Sequence, residues 1–393
     1  MWAQRLTYRC AHRFFQLAAW WQQEGEEFPL PSGRDPLPCP PSSVKQFHRQ
    51  IFAKSVTQAQ RLIPALIIAS SLFAAASPAA TSSPWDVRKI NGDDYVPVEN
   101  IKQFYHFASL TRSGSTVTLE NAKVTMKLNM GAAECSMNNV KFVFSKTVEE
   151  VDSKAYVSRT DLAKLIDPVL RPNFIKNAGS FNTVVLDAGH GGKDPGATSS
   201  YGNEANYNLK VANLVKAKLQ AKGYKVVMTR DSDRFLSLQE RVNVANAVTE
   251  NAIFIAIHFN SGASGARGIE TFTLSPPGVA HYGRGLVEAD KIERAGNEHD
   301  SANMALATSA HGSVLRSLGN NTFDRGIKRA RYTVLSGITH PAILLEGGFL
   351  THPNEARLIH NEKYRAALAG GIATAVDKYR VAVTLRPAIP PAR

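Results

Sequence analysis

Four side chains able to hold a metal ion or move a proton stand at the ends of apolar runs or just beyond one: His190, Glu204, His258 and Glu346. In "VVLDAGHGGKDPGA", residues 184–197, an aliphatic run meets Asp187, and His190 then sits among Gly189, Gly191 and Gly192. His258 closes "AIFIAIH", and Glu346 closes "AILLE". Glu204 stands near the start of a helical stretch just past the glycine loop. Taken singly, each has an ordinary reading. A histidine at a strand end is commonly a hydrogen-bonded core residue, and an acid in a first helical turn complements the macrodipole. Glu346 is harder to place that way. A carboxylate straight after four apolar residues is buried at a strand end, which is costly unless a metal or another cation meets it. The spacing matches no local zinc signature such as H-E-x-x-H, so only folding can gather the four. A phosphate cradle fails as a rival reading of the loop. "GHGGKDPG" has Asp194 where a P-loop needs Ser or Thr after its lysine, and where G-x-G-x-x-G needs its last glycine.

The elements around these residues alternate strand and helix from 181 to 380. "TVVLDAG", "YKVVMT", "AIFIAIHF", "GIETFTL", "RYTVLSG" and "AILLEGGF" read as strands. "EANYNLKVANLVKAKLQAKG" reads as a helix with Leu209, Ala212, Val215 and Leu219 on one face, and "SLQERVNVANAVTE", 301–318 and 362–380 as further helices. "AIFIAIHF" is too apolar to be half exposed, so it is expected to be covered on both sides. The predicted fold class is α/β, a twisted and largely parallel sheet with helices on both faces. Such sheets place ligands beyond the carboxyl ends of their strands. His190, His258 and Glu346 all fall there, with Glu204 close by.

A small mixed α+β domain is expected over 85–170, before a linker at 172–180. "YVPVENIKQFYHFA" reads as strand then helix, and "STVTLE", "KVTMKLNM" and "VKFVFS" as strands between turns. "AYVSRTDLAKLIDPVL" is again strand then helix, with Ser158 or Thr160 as its N-cap. This stretch weakly resembles the copper amine oxidase N-terminal-like module, without any copper site, and a spacer or wall-binding role is expected for it. Residues 1–80 read as a signal-peptide region with an upstream extension. "RLIPALIIASSLFAAASPAA", 61–80, has h-region length and closes on the A-x-A candidate Ala74-Ala75-Ala76, so translation is expected to begin near 44–55. The stretch is short for a membrane span, and no stable span is expected after cleavage. Of three cysteines only Cys135 follows it, which excludes an intramolecular disulfide and a cysteine-built zinc site in the exported chain. The tail 381–393 is Pro-rich and expected to be loose. The net charge of +13 suits a polyanionic partner, but no motif interleaving aromatic and basic residues accompanies it, and no nucleic-acid role is expected.

From "VVLDAGHGGKDPGA" through "NEANYNLKVANLV", "VVMTRDSDRFLSLQERVNVAN", "FIAIHFNS", "GIETF", "DRGIKRARYTVL" and "PAILLEGGFLTHPNEARL", the chain resembles the secreted zinc-dependent N-acetylmuramoyl-L-alanine amidases of the type-3 family. The resemblance covers about residues 182–380. It implies one Zn2+ held by His190, Glu204 and His258, and a catalytic role for Glu346. It implies peptidoglycan as substrate, cut between N-acetylmuramic acid and L-alanine of the stem peptide, and an exported location in the periplasm or outside the cell, associated with the wall. It leaves room for a protein activator. His352 stands where relatives carry Asn, which is expected to alter only the cleft edge.

Two imidazoles and a carboxylate form a common catalytic zinc shell with a fourth position left for water. Glu346 would then serve as general base and afterwards general acid. On this reading the glycines around His190 turn the chain sharply and leave a low wall for a bulky polymer. Asp187 either orients a ligand or caps the loop. Arg230, Arg241 and Arg325 either meet stem-peptide carboxylates or form salt bridges inside the fold, the commoner fate. Between 275 and 303 the chain is short and Gly-rich, which gives no case for self-inhibition. The rival functions are a zinc peptidase acting on wall peptides and a non-catalytic wall-binding protein.

Overall fold

The alternating N-terminal segments pleat into a four-stranded sheet and an antiparallel meander. In the computed structural model, which describes residues 85–384 apart from Asn177 and Ser264, β1 (Arg88–Ile90) and β2 (Asp93–Pro97) form a hairpin, followed by helix α1 (Val98–Phe104). Then come β3 (Ser109–Ser113), β4 (Thr116–Glu120), β5 (Thr125–Asn129), β6 (Glu134–Met137) and β7 (Val140–Val143), an antiparallel meander. From β4 to β7 every second side chain is buried, Val117, Leu119, Met126, Leu128, Cys135 and Phe142 among them, as the period of two requires. β8 (Glu149–Val151) and β9 (Lys154–Ser158) complete the other sheet, ordered β1-β2-β9-β8. Ser158 is the N-cap: its Oγ accepts from Asp161 N at 3.0 Å, at the head of helix α2, residues 159–170, which widens to a π-helix over Leu162–Ile166. The apolar stretch 61–80, its cleavage candidate, the extension before it and the tail beyond 384 lie outside the described residues.

The second half alternates as expected. β10 (Thr183–Ala188) leads through the glycine loop and the short pair β11 (Thr198–Ser199) and β12 (Gly202–Asn203) into helix α3 (Glu204–Ala221). β13 (Lys225–Met228), helix α4 (Leu238–Asn246), β14 (Ala252–Asn260) and β15 (Ile269–Leu274) follow. Helix α5 (Asp300–Leu318), β16 (Asp324–Ala330), helix α6 (Thr333–Gly337), β17 (Ala342–Phe349), helix α7 (Pro353–His360) and helix α8 (Glu362–Thr384) complete the unit. The last helix thus runs four residues past the expected 380. Strands β13, β10, β14 and β17 lie parallel, β15 is antiparallel to β17, and β16 is parallel to β15.

The central strand β14 is covered on both sides, as its composition demands. Ile253, Ile255 and Ile257 face the core shared with α3, α5 and α8, while Phe254 and Ala256 face Val242, Val334 and Leu335 of α4 and α6. One expectation fails. "RYTVLSG" is not a strand; the strand is the preceding "DRGIKRA", and Thr333–Gly337 is a short helix packing Val334 and Leu335. The strand hid because Lys328 and Arg329 look like surface residues, yet both are buried on partners: Lys328 Nζ meets Glu270 at 2.6 Å and Arg329 Nη1 meets Asp161 at 2.9 Å.

β7 pairs in parallel with β16, so the meander continues the larger sheet, whose order is β13-β10-β14-β17-β15-β16-β7-β6-β5-β4-β3. Among the described residues no helix is long and apolar enough to cross a membrane.

Candidate metal centre

β10 and β14 are parallel neighbours, so the loop after β10 and the end of β14 meet at the same rim. His190 comes from the first and His258 from the second. Glu204 arrives at the first residue of α3, which starts there because Asn203 Oδ1 caps it through Asn206 N at 3.0 Å. One ligand atom from each of the three lies within 4.8 Å of the others. Glu204 Oε1 sits between the rings, 3.2 Å from His190 Nε2 and 2.9 Å from His258 Nδ1. The rings stand edge-on, with centroids 5.0 Å apart. Burial opposes ionisation of Glu204, but its bonds to His190 and His258 outweigh that and hold the carboxyl well below the usual range. Burial likewise opposes a charge on His190, while Glu204 and Asp194 raise its pKa. Three lone-pair donors converging on one point suit a divalent cation, and the mixed imidazole–carboxylate set suits zinc.

Supporting contacts fix each donor. Asp194 Oδ2 accepts from His190 Nδ1 at 2.8 Å, which turns Nε2 towards Glu204. Ala197 N and Phe259 N donate to the two oxygens of Glu204, at 2.9 Å and 3.2 Å. Asp194 was visible only as an acid four residues after His190; nothing in the pattern singled it out. Asp187 is not beside a ligand. It is buried and accepts from Arg241 Nη1 at 2.7 Å and Thr229 Oγ1 at 2.5 Å.

The glycines do something other than lower a wall. A Cβ on Gly189 would lie 2.1 Å from the His258 ring, and one on Gly196 would lie 2.5 Å from Glu204 Oε2. Additions at Gly191 and Gly192 would strike the backbone of Arg234 and Phe235 at 2.3 Å and 2.7 Å. Glycine is needed because the metal-competent side chains and a second loop press directly on this backbone. His190 itself takes φ +59°, a left-handed conformation that costs of order 1 kcal/mol outside glycine.

Glu346 lies opposite His258 in the β14–β17 register and opposite Glu270 in the β15–β17 register. Residues paired across strands share a face, so Glu346 projects beside His258. It is buried, and its Oε2 has no hydrogen-bond partner. Burial first, then the charges of Glu204 and Glu270, push its pKa well above the usual carboxylate range. Glu270 is compensated instead: Lys328 Nζ, Arg325 Nε and Asn260 Nδ2 all donate to it. Arg325 is therefore occupied within the fold. His352, at the expected cleft edge, acts as an N-cap, its Nδ1 accepting from Glu355 N at 3.4 Å, a role the amide oxygen of asparagine fills equally well.

The layout is that of an α/β protein with a metal-competent cluster at the carboxyl rim of its sheet, beside a buried carboxylate that has an unpartnered oxygen. Residues 184–378 match the family described as N-acetylmuramoyl-L-alanine amidase, type 3. The chain is 34% identical to the uncharacterized protein YqiI of Bacillus subtilis, over 50% of this chain and 84% of that one. It is 32% identical to the N-acetylmuramoyl-L-alanine amidase AmiC of Neisseria meningitidis, over 56% of this chain and 57% of that one. Among solved structures it resembles the catalytic domain of CwlV, an N-acetylmuramoyl-L-alanine amidase of Bacillus (Paenibacillus) polymyxa, at 32% identity, with 51% and 98% of the two chains covered and a TM-score of 0.42. The chain belongs to the N-acetylmuramoyl-L-alanine amidase family, though it spans little more than half the Neisseria relative's length.

Proposed function

We propose that this protein is an exported, zinc-dependent amidase of peptidoglycan that cleaves the amide between N-acetylmuramic acid and L-alanine of the stem peptide. The observation that carries the reading is Glu346, a buried carboxylate with an unpartnered oxygen, in register beside one of three converging donors. His190, Glu204 and His258 would hold Zn2+, which when bound polarises an amide carbonyl and acidifies water towards a pKa of about 7.

The chain's own residues do the rest. Asp194 fixes the His190 ring, and the backbone donors of Ala197 and Phe259 fix the orientation of the Glu204 carboxylate. Glu346 takes the proton of the attacking water at Oε2 and returns it to the departing alanine nitrogen, so the amine leaves neutral. A raised pKa makes Glu346 a stronger base than an ordinary carboxylate, which suits taking the proton from the attacking water. Export rests on the apolar stretch 61–80 and on the wall substrate of the family.

Digestion of purified peptidoglycan tests the reading. Release of intact stem peptides with free N-terminal L-alanine, stopped by a chelator and restored by Zn2+, is expected. Products cut only between amino acids would make the protein a peptidase, and solubilisation of nothing would leave it a wall binder.

A further inference from the structure

Arg230 and Arg241 lie buried together beneath the glycine loop, and the proposed reaction leaves both without a task. Two cations beside one buried carboxylate, Asp187, are costly to bury unless their N–H groups find acceptors. The acceptors are almost all main-chain carbonyls. Arg230 donates from Nε to Ala188 O at 2.7 Å, from Nη1 to Ser232 O at 3.0 Å, and from Nη2 to both Gly189 O and Ala205 O at 2.8 Å. Arg241 donates from Nη1 to Asp187 Oδ1 at 2.7 Å and Ala188 O at 2.8 Å, from Nη2 to His190 O at 2.8 Å, and from Nε to Leu236 O at 3.3 Å.

Three consecutive carbonyls, those of Ala188, Gly189 and His190, are thus held by two guanidinium groups. Carbonyls of an extended chain alternate in direction, and the left-handed turn at His190, with φ +59°, takes its own carbonyl out of that alternation. A further carbonyl belongs to Ala205, next to Glu204. One nitrogen, Arg230 Nη2, therefore ties the backbone of the His190 loop to the backbone of the Glu204 helix.

We propose that Arg230 and Arg241 are positioning residues: a guanidinium clamp that sets the His190 and Glu204 backbones in ligand geometry before a metal ion binds. The proposal rests on the metal reading above. Its chemistry requires arginine, because the planar fork serves several carbonyls at fixed angles while a lysine ammonium is a point charge on a flexible stem. Arg→Lys exchanges therefore keep the charge and remove the clamp.

The test uses the full chain, stripped of metal and titrated with Zn2+ against a chromophoric chelator, with the visible absorption of bound Co2+ as a second readout. Wild type is expected to bind one equivalent. Arg230→Lys and Arg241→Lys are expected to weaken Zn2+ at least about 10-fold and to alter the Co2+ spectrum. Arg329→Lys, which disturbs a buried ion pair with Asp161 outside this loop, is expected to lower the melting temperature and leave affinity unchanged. In metal-free wild type, amides of 189–197 are expected to exchange slowly with deuterium, and this decides the matter alone if the lysine variants do not fold. Unchanged affinity in both lysine variants, an equal loss in Arg329→Lys, or protection that appears only after metal is added would each overturn the clamp while leaving the metal reading intact. A wild type that binds no divalent ion would instead overturn the metal reading, and the clamp with it.

Discussion

Glu346 illustrates how far one side chain can be read. Its position after "AILL" announced a buried carboxylate needing compensation, and the fold leaves its Oε2 without a partner while Glu270, across the strand, receives three donors. If Glu346 relays the proton, Glu346→Gln keeps shape and metal but removes the base. Peptidoglycan hydrolysis is expected to fall at least 100-fold, with zinc content by atomic spectroscopy unchanged; loss of metal in that variant would make Glu346 a ligand instead. Asp194 gives a second test. Asp194→Ala frees the His190 ring to rotate, and Zn2+ affinity is expected to drop about 10- to 100-fold in a chelator competition. Neither Asp194 nor Glu270 was legible beforehand. An acid four residues from a histidine in a loop, and an acid inside "GIETF", carry no periodic signal.

The glycine loop shows the same limit over a longer stretch. Its composition announced a special backbone, but the reason lies in what packs against it. Gly189 is the clean probe, because its φ is not in the left-handed region and only the 2.1 Å approach to His258 forbids a side chain. Gly189→Ala is expected to displace the His258 ring and abolish stoichiometric zinc binding; wild-type stoichiometry would sink that explanation. Helix α4 offers a contrast in which local rules suffice. Ser237 and Glu240 form a reciprocal capping box, with Ser237 N donating to Glu240 Oε2 at 2.7 Å. Ser237→Ala is expected to cost about 1 kcal/mol in a denaturant melt without touching metal affinity. Helix α6 went unread because Thr333 and Val334 favour strands, while the true strand carried charges that distant partners neutralise.

In the molecule as a whole, the meander of 109–143 and the sheet of the amidase region form one hydrogen-bonded surface through β7 and β16. Two carboxylates strengthen that junction. Asp324 accepts from Lys141 N at 2.8 Å, and Asp161 pairs with Arg329 while accepting from Ser145 N at 2.8 Å. Arg329→Ala would strand the Asp161 charge in the interior, at an expected cost of about 3 kcal/mol. Because the contacts cross from one half to the other, thermal unfolding of that variant is expected to remain a single transition shifted downward. Two separated transitions would mean that the halves are energetically independent.

Most of the strand and helix order, the burial of "AIFIAIHF" on both faces, and the placing of His190 just past β10 and of His258 and Glu346 in the carboxyl halves of β14 and β17 all followed from periodicity, since hydrophobic pattern is a local property of the chain. The meeting of those residues with Glu204, the inward turn of Arg230 and Arg241, and the joining of the N-terminal meander to the larger sheet did not. Each depends on pairs separated by tens to hundreds of residues, whose contact is set by strand register and by compensation of buried charge, and neither leaves a trace in local composition.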